Sequence, residues 1–178
     1  STVTLTLKRA GAPEPIVVTA KRELIVPDTV KARLENGVAV LHVSSFNQRT
    51  AAAVERAVMK ARDDAGGTLK GLIVDFRSDP GGLLDQAVDM TSLFIDKGTI
   101  VSLNGRHPGA KQFYAAHGRD IIPGVPIAII VDGRTASAAE IVTAALQDNG
   151  RAVVIGTGTL GKGSVQTVVR LANGGEMA

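Results

Sequence analysis

Three short segments hold the residue types and spacings that could do chemistry. The first is Thr135-Ala136-Ser137-Ala138-Ala139-Glu140, between an apolar run and a helical pattern. Ser137 has small residues on both sides. A nucleophile on a sharp strand-to-helix turn needs such neighbours, because larger ones would clash with the turn and block the substrate. The G-x-S-x-G elbow uses glycine for the same reason, although Thr135 and Ala139 break the literal motif here. A helix starting at this point aims the backbone N–H of Ala138 outward at the positive end of the helix dipole, where it can donate to an oxyanion. The plainer reading is also open. Ser137 to Glu140 fits the S-x-x-E capping box, in which serine only satisfies helix-end donors.

The second segment runs from Gly156 to Ser164 and holds Lys162. It matches a phosphate-binding P-loop from Gly156 through Lys162, then has Gly163 where a hydroxyl should hold magnesium. Ser164 restores the hydroxyl only by breaking the Lys-Ser adjacency. The stretch that follows reads as a strand, whereas a P-loop opens into a helix. A lysine can replace histidine as the base for a serine, provided that burial strips its proton. Lys162 lies among Gly, Leu and Val, which allows a desolvated position. His42 reads as a strand residue, and His107 and His117 as loop residues; a Ser-His-Asp triad through one of them stays open. The third segment is Asp75-Phe76-Arg77-Ser78-Asp79-Pro80-Gly81-Gly82. Its glycines let a backbone N–H approach a ligand closely, or they simply punctuate a turn.

The elements that must position these segments follow from periodicity. Residues 1–8 and 15–21 read as a hairpin, with a boundary near 23–29, where Pro27 interrupts the pattern. Strands are expected at 37–43, 69–77, 99–105, 126–133, 151–157 and 164–172. Helices are expected at 50–65, 83–94 and 137–148, the first capped by Thr50 and stopped by Gly66 and Gly67. Residues 106–124 read as a long loop. Alternation of strands and helices predicts an α/β fold. The pattern also predicts that both ends are cut from a longer chain.

Composition narrows the function classes. The chain has 178 residues, 44% hydrophobic and 21% charged, as an ordinary globular domain has. Only 3% are aromatic, which argues against stacked recognition of single-stranded nucleic acid. Net charge is +3, with the basic residues scattered, so nucleic-acid binding gains little support. There is no cysteine, which removes disulfides, thiolate zinc sites and cysteine nucleophiles. No apolar run is long enough to span a bilayer.

Taken together, residues 75–88 and 131–167 resemble the carboxyl-terminal processing proteases, or tail-specific proteases. These are Ser/Lys endopeptidases with a crotonase-like and ClpP-like α/β core. The family separates its serine and lysine by 25 residues and places a glutamine four beyond the lysine. Ser137, Lys162 and Gln166 keep both spacings. The resemblance implies that Ser137 is the nucleophile, Lys162 the general base, and Gln166 the residue that orients the lysine. It implies an oxyanion hole from the N–H groups of Gly82 and Ala138, with Gly81 a lesser candidate. No metal or cofactor is implied. The implied substrate is a protein or peptide with an apolar carboxyl-terminal tail; a homo-oligomer or an adaptor protein is left open, nucleic acid is not expected, and the implied location is extracytoplasmic. Residues 1–26 would be the last strands of a PDZ domain, and 27–178 the protease core. The family usually has serine where Ala139 stands and an aromatic where Leu160 stands. The alternatives are an inactive peptide-binding relative of the same fold and a nucleotide-binding protein using Gly156 to Lys162.

Overall fold

A computed structural model describes residues 1–23, 25–166 and 168–177. The chain begins with the expected hairpin, β1 (Thr2–Leu7) and β2 (Ile16–Lys21), antiparallel with Thr2 opposite Lys21 and Leu7 opposite Ile16. Its side chains are almost all exposed, and it forms its own two-stranded sheet.

The main sheet has five strands in the order β3-β4-β5-β8-β9. They are β3 (Val30–Glu35), β4 (Val38–Val43), β5 (Gly71–Asp75), β8 (Ile127–Val131) and β9 (Ala152–Gly156), and between β5 and β8 a separate antiparallel pair forms from β6 (Thr99–Leu103) and β7 (Gln112–Ala115). From β4 to β9 the pairing is parallel; only β3 is antiparallel. Parallel neighbours need crossovers, supplied in part by α1 (Thr50–Asp64), α2 (Leu84–Ser92) and α3 (Ala138–Asp148). Strands added in one direction with one crossover hand put the helices on one face. There α2 packs between α1 and α3. Leu41, Leu72, Ile129, Val54, Met90 and Leu146 are fully buried between the two layers. The mixed α/β class is therefore as expected.

Several expectations need correction. β3 was not foreseen as a strand, because Lys31, Arg33 and Glu35 give an exposed edge rather than an apolar run. The signal for it is Asn36-Gly37, both at positive φ, which make the tight turn of the β3–β4 hairpin. The 106–124 loop contains β7 and a 3-10 turn, Pro108–Ala110. The strand expected at 164–172 shrinks to β10 (Val169–Arg170), paired with β11 (Glu176–Met177), while Thr167 lies outside the described residues. These side chains are exposed, so no apolar face holds a longer strand in place. Thr50 does not cap α1. It lies inside the helix, and its buried hydroxyl joins Thr29 at 2.7 Å and accepts the Asn47 N–H at 2.9 Å. No helix among the described residues is long and apolar enough to cross a membrane.

One half-buried cation ties the start of β9 to the loops before β8. The Arg151 guanidinium meets Asp120 at 2.8 Å and donates to the carbonyls of Phe94, Ile122 and Val125 at 3.1, 2.9 and 2.7 Å. Arg151→Met keeps the stem and strips these partners. It should lower unfolding stability by about 3–5 kcal/mol, because it leaves Asp120 and the carbonyls unsatisfied. A urea titration that leaves the midpoint unchanged contradicts this.

Candidate functional site

The three segments singled out above leave β5, β8 and β9 at their carboxyl ends. These strands are neighbours and parallel, so the segments emerge along one edge of the sheet. Open α/β sheets bind ligands at this edge.

Backbone contacts fasten the segments together. The Phe76 N–H donates to the Ile130 carbonyl at 2.9 Å, and the Ala136 N–H donates to the Asp79 carbonyl at 2.9 Å. Thr135 is fully buried; its hydroxyl donates to the Phe76 carbonyl at 2.8 Å and accepts the Asp132 N–H at 2.9 Å. The Asp132 carboxylate accepts the Ser78 N–H at 3.0 Å, which helps hold it below the usual carboxylate range. Gly81 is packed against the serine turn. A Cβ there would stand 2.6 Å from the Ala136 oxygen, 2.7 Å from the Ala138 nitrogen and 2.8 Å from the Ser137 Cβ. Its φ of +89° also disfavours any side chain.

Ser137 stands at φ 54° and ψ −115°. A helix cap sits in the extended region, so a cap alone does not require this backbone. A non-glycine residue there costs on the order of 1–3 kcal/mol and persists only where its surroundings impose it. The capping box does form: the Ser137 side chain faces the Glu140 N–H, and the Ser137 N–H donates to the Glu140 carboxylate at 2.7 Å.

Glu140 does more than sequence reasoning gave it. Its carboxylate also accepts the Thr159 hydroxyl at 2.7 Å, the Gly161 N–H at 2.6 Å and the Lys162 N–H at 3.2 Å. Burial alone would raise its pKa, yet these four donors together hold it below the ordinary value. The lysine segment is thus tied to the serine turn through one carboxylate. The spacing S-x-x-E marked Glu140 only as a capping acid; nothing local in the sequence points to residues 159–162.

Two backbone donors lie open beside Ser137. The Gly81 N–H is taken by the Asp79 carboxylate at 2.7 Å. The Gly82 N–H, on an exposed residue bridged to Phe46, donates to no group among the described residues. Neither does the N–H of Ala138, at the first turn of α3. A groove of about 970 Å³ runs past Ser137, and its apolar lining includes Leu84, Ile100, Tyr114, Ile141, Ala144 and Val165.

The structure brings Ser137, Ala138 and the Gly81-Gly82 turn together. The backbone of Lys162 shares the Glu140 carboxylate with the Ser137 N–H, and Gly161, Gly163 and Ser164 around it line the same groove as Ser137, but neither Lys162 nor Gln166 makes a side-chain hydrogen bond to Ser137 among the described residues. Both are exposed, and among the described residues the Lys162 amine makes no hydrogen bond or ion pair. The desolvated position expected for Lys162 is not formed: among the described residues no element covers the outer side of its loop, and Leu160 beside it is 62% exposed. The three histidines also lie apart from Ser137. His42 faces Asp75 across the strands at 3.8 Å, His117 meets Asp89 at 3.2 Å, and His107 accepts the Gly109 N–H. The nucleotide alternative fails on its second half, since no helix follows Lys162 among the described residues.

Glu140→Gln removes the charge and puts a donor where two of the four donors now point. Amide exchange at Gly161 and Lys162 should speed up by about tenfold or more. In the wild type, a lowered carboxyl pKa stabilises above the unfolded value of 4.5 and is lost as the pH falls through the lower folded value, so acid should also loosen this loop. Exchange that is unchanged in both cases argues against the Glu140 tether.

Known proteins show the same arrangement of chain. A carboxy-terminal-processing protease of Bartonella bacilliformis is 38% identical over 176 residues, which is 98% of this chain and 41% of that protein. A probable CtpA-like serine protease of Staphylococcus aureus is 37% identical over 174 residues, 97% of this chain and 34% of that protein. The chain therefore spans less than half the length of these curated relatives. Among solved structures, the photosystem II D1 C-terminal processing protease superposes with a TM-score of 0.72 at 28% identity, covering 99% of this chain and 48% of that one. A Streptococcus agalactiae lipoprotein shares the fold at a TM-score of 0.64 and 20% identity, over 84% of this chain and 56% of its own. Residues 37–178, which include all three site segments, match the peptidase family S41 profile, and the chain belongs to that family.

Proposed function

We propose that this chain carries the core of a serine endopeptidase that cleaves partly unfolded proteins near an apolar carboxyl terminus. The observation that carries the reading is the Ser137 turn: a strained serine beside two open N–H donors, at the side of an apolar groove. In the proposed reaction the Ser137 hydroxyl attacks the scissile carbonyl and passes its proton to the Lys162 amine. The N–H groups of Gly82 and Ala138 hold the carbonyl oxygen as it gains charge. Lys162 then protonates the leaving amine, and water releases the acyl group from Ser137. Gln166 orients the lysine. No metal or cofactor takes part.

This chemistry requires the exposed Lys162 amine to engage the Ser137 hydroxyl and to lose its charge there. Gly161 and Gly163, both at positive φ on either side of it, give the loop backbone freedom to adjust. With this reading we propose that residues 1–26 are the closing strands of a PDZ domain and 27–178 the protease core. An extracytoplasmic location rests on the family resemblance alone. A second reading is favoured by the exposure of Lys162: an inactive relative that binds peptide tails in the same groove.

The test is cleavage of an unfolded protein with an apolar tail. Ser137→Ala and Lys162→Ala should each lower the rate by about 10³-fold or more. Lys162→Arg should be as inactive as Lys162→Ala, because arginine keeps its charge. Gln166→Ala should slow turnover by about tenfold with little change in folding. Equal rates in wild type and both alanine variants overturn the Ser/Lys assignment. Tail binding with no cleavage by any form selects the second reading.

A further inference from the structure

Asp79 is a buried carboxyl group that the proposed reaction does not use. It is 0% exposed, and its Oδ2 has no hydrogen-bond partner among the described residues. Its other contacts converge on the serine turn. Oδ1 accepts the Gly81 N–H at 2.7 Å, and its carbonyl accepts the Ala136 N–H, directly before Ser137. One residue thus holds a donor on one side of the site and the approach to the nucleophile on the other.

We propose that Asp79 positions the oxyanion hole: by engaging the Gly81 N–H it turns that donor away and leaves the N–H groups of Gly82 and Ala138 to the substrate carbonyl. This rests on the acyl-transfer reading above. The loop Asp79-Pro80-Gly81-Gly82 could otherwise present either glycine N–H. With the Gly81 N–H bound inward, and the Gly81 carbonyl and Leu83 N–H both bonded to Phe46, only the Gly82 N–H is left facing out.

The clamp needs only an acceptor, so a neutral carboxyl serves. Burial pushes the Asp79 pKa up to about 7, partly offset by the Gly81 N–H. Surrounding charged groups are engaged elsewhere. On its own segment Asp75 pairs with Arg77; on the serine turn Asp132 accepts the Ser78 N–H and lies 3.9 Å from Arg134. On α3 Glu140 holds its four donors, while Arg49 before α1 and Asp85 on α2 are exposed. None of them bonds to the Asp79 carboxyl among the described residues. Ionised, Asp79 would set a negative charge beside the position where the substrate oxygen becomes negative, and its unpaired Oδ2 would compete for the nearest amide. Both effects oppose catalysis.

The test compares kcat and KM of the wild type, Asp79→Asn, Asp79→Ala and Ser137→Ala from about pH 5 to about pH 9. Asparagine keeps the acceptor and cannot ionise. Asp79→Ala should lower kcat by about tenfold with KM within about twofold, as expected for a loss confined to the transition state. The wild-type kcat should carry a falling limb near pH 7 that Asp79→Asn lacks. Stability gives a second readout. A raised carboxyl pKa stabilises below the unfolded value of 3.8, and that stability is lost as the pH rises through about 7; this decline should vanish in Asp79→Asn. If Asp79→Ala does not fold, the Asp79→Asn profiles decide. If Ser137→Ala is inactive but Asp79→Asn reproduces the wild-type pH profile, this proposal fails and the protease reading stands. If Ser137→Ala cleaves normally, the protease reading fails and takes this proposal with it.

Discussion

The backbone of Ser137 is the constraint around which the site is arranged. A serine at positive φ relaxes unless its neighbours forbid it. Here they do so from three sides. Thr135 is fixed to the end of β5 through the Phe76 carbonyl, Ala136 is bonded to Asp79, and the Ser137 N–H is held by Glu140. The absence of a side chain at Gly81 is what lets the loop after β5 close onto this turn. Strain at one residue is therefore shared among the carboxyl ends of two neighbouring strands and the first turn of a helix.

Glu140 extends that frame to the third strand. Its carboxylate is where the serine turn and the loop after β9 meet, and all four of its bonds are to donors on those two segments. The charge is sustained because the donors outweigh the burial. Asp79 shows the reverse balance: fully enclosed, with one donor for two oxygens, it favours the neutral form. Two acids within one site are thus set apart in charge by the number of N–H and O–H groups that each receives.

Much of this was legible in the sequence, for physical reasons. β5, β8 and α3 are buried, so their apolar residues fall at the spacing of a strand or a helix face, and Gly, Pro and small residues mark where each ends. The fixed spacing of Ser137, Lys162 and Gln166 marked the family. Other parts were not legible. β3 is an exposed edge held by backbone pairing, which leaves little apolar signature apart from its Asn-Gly turn. The surroundings of Lys162 depend on which elements come to cover its loop, and a run of Gly, Leu and Val cannot specify that. The unpaired Oδ2 of Asp79 is likewise a product of long-range packing; in the sequence it is one more aspartate before a proline.

The order of strands in the main sheet follows the order of the chain. Each strand meets a partner that has already been made, so the sheet can grow from one edge during synthesis without waiting for a later segment. The serine turn closes only once β8 has docked against β5, and the loop bearing Lys162 is anchored only after β9 has joined. A nascent chain therefore completes its hydrophobic layers before the two side chains proposed to react can meet.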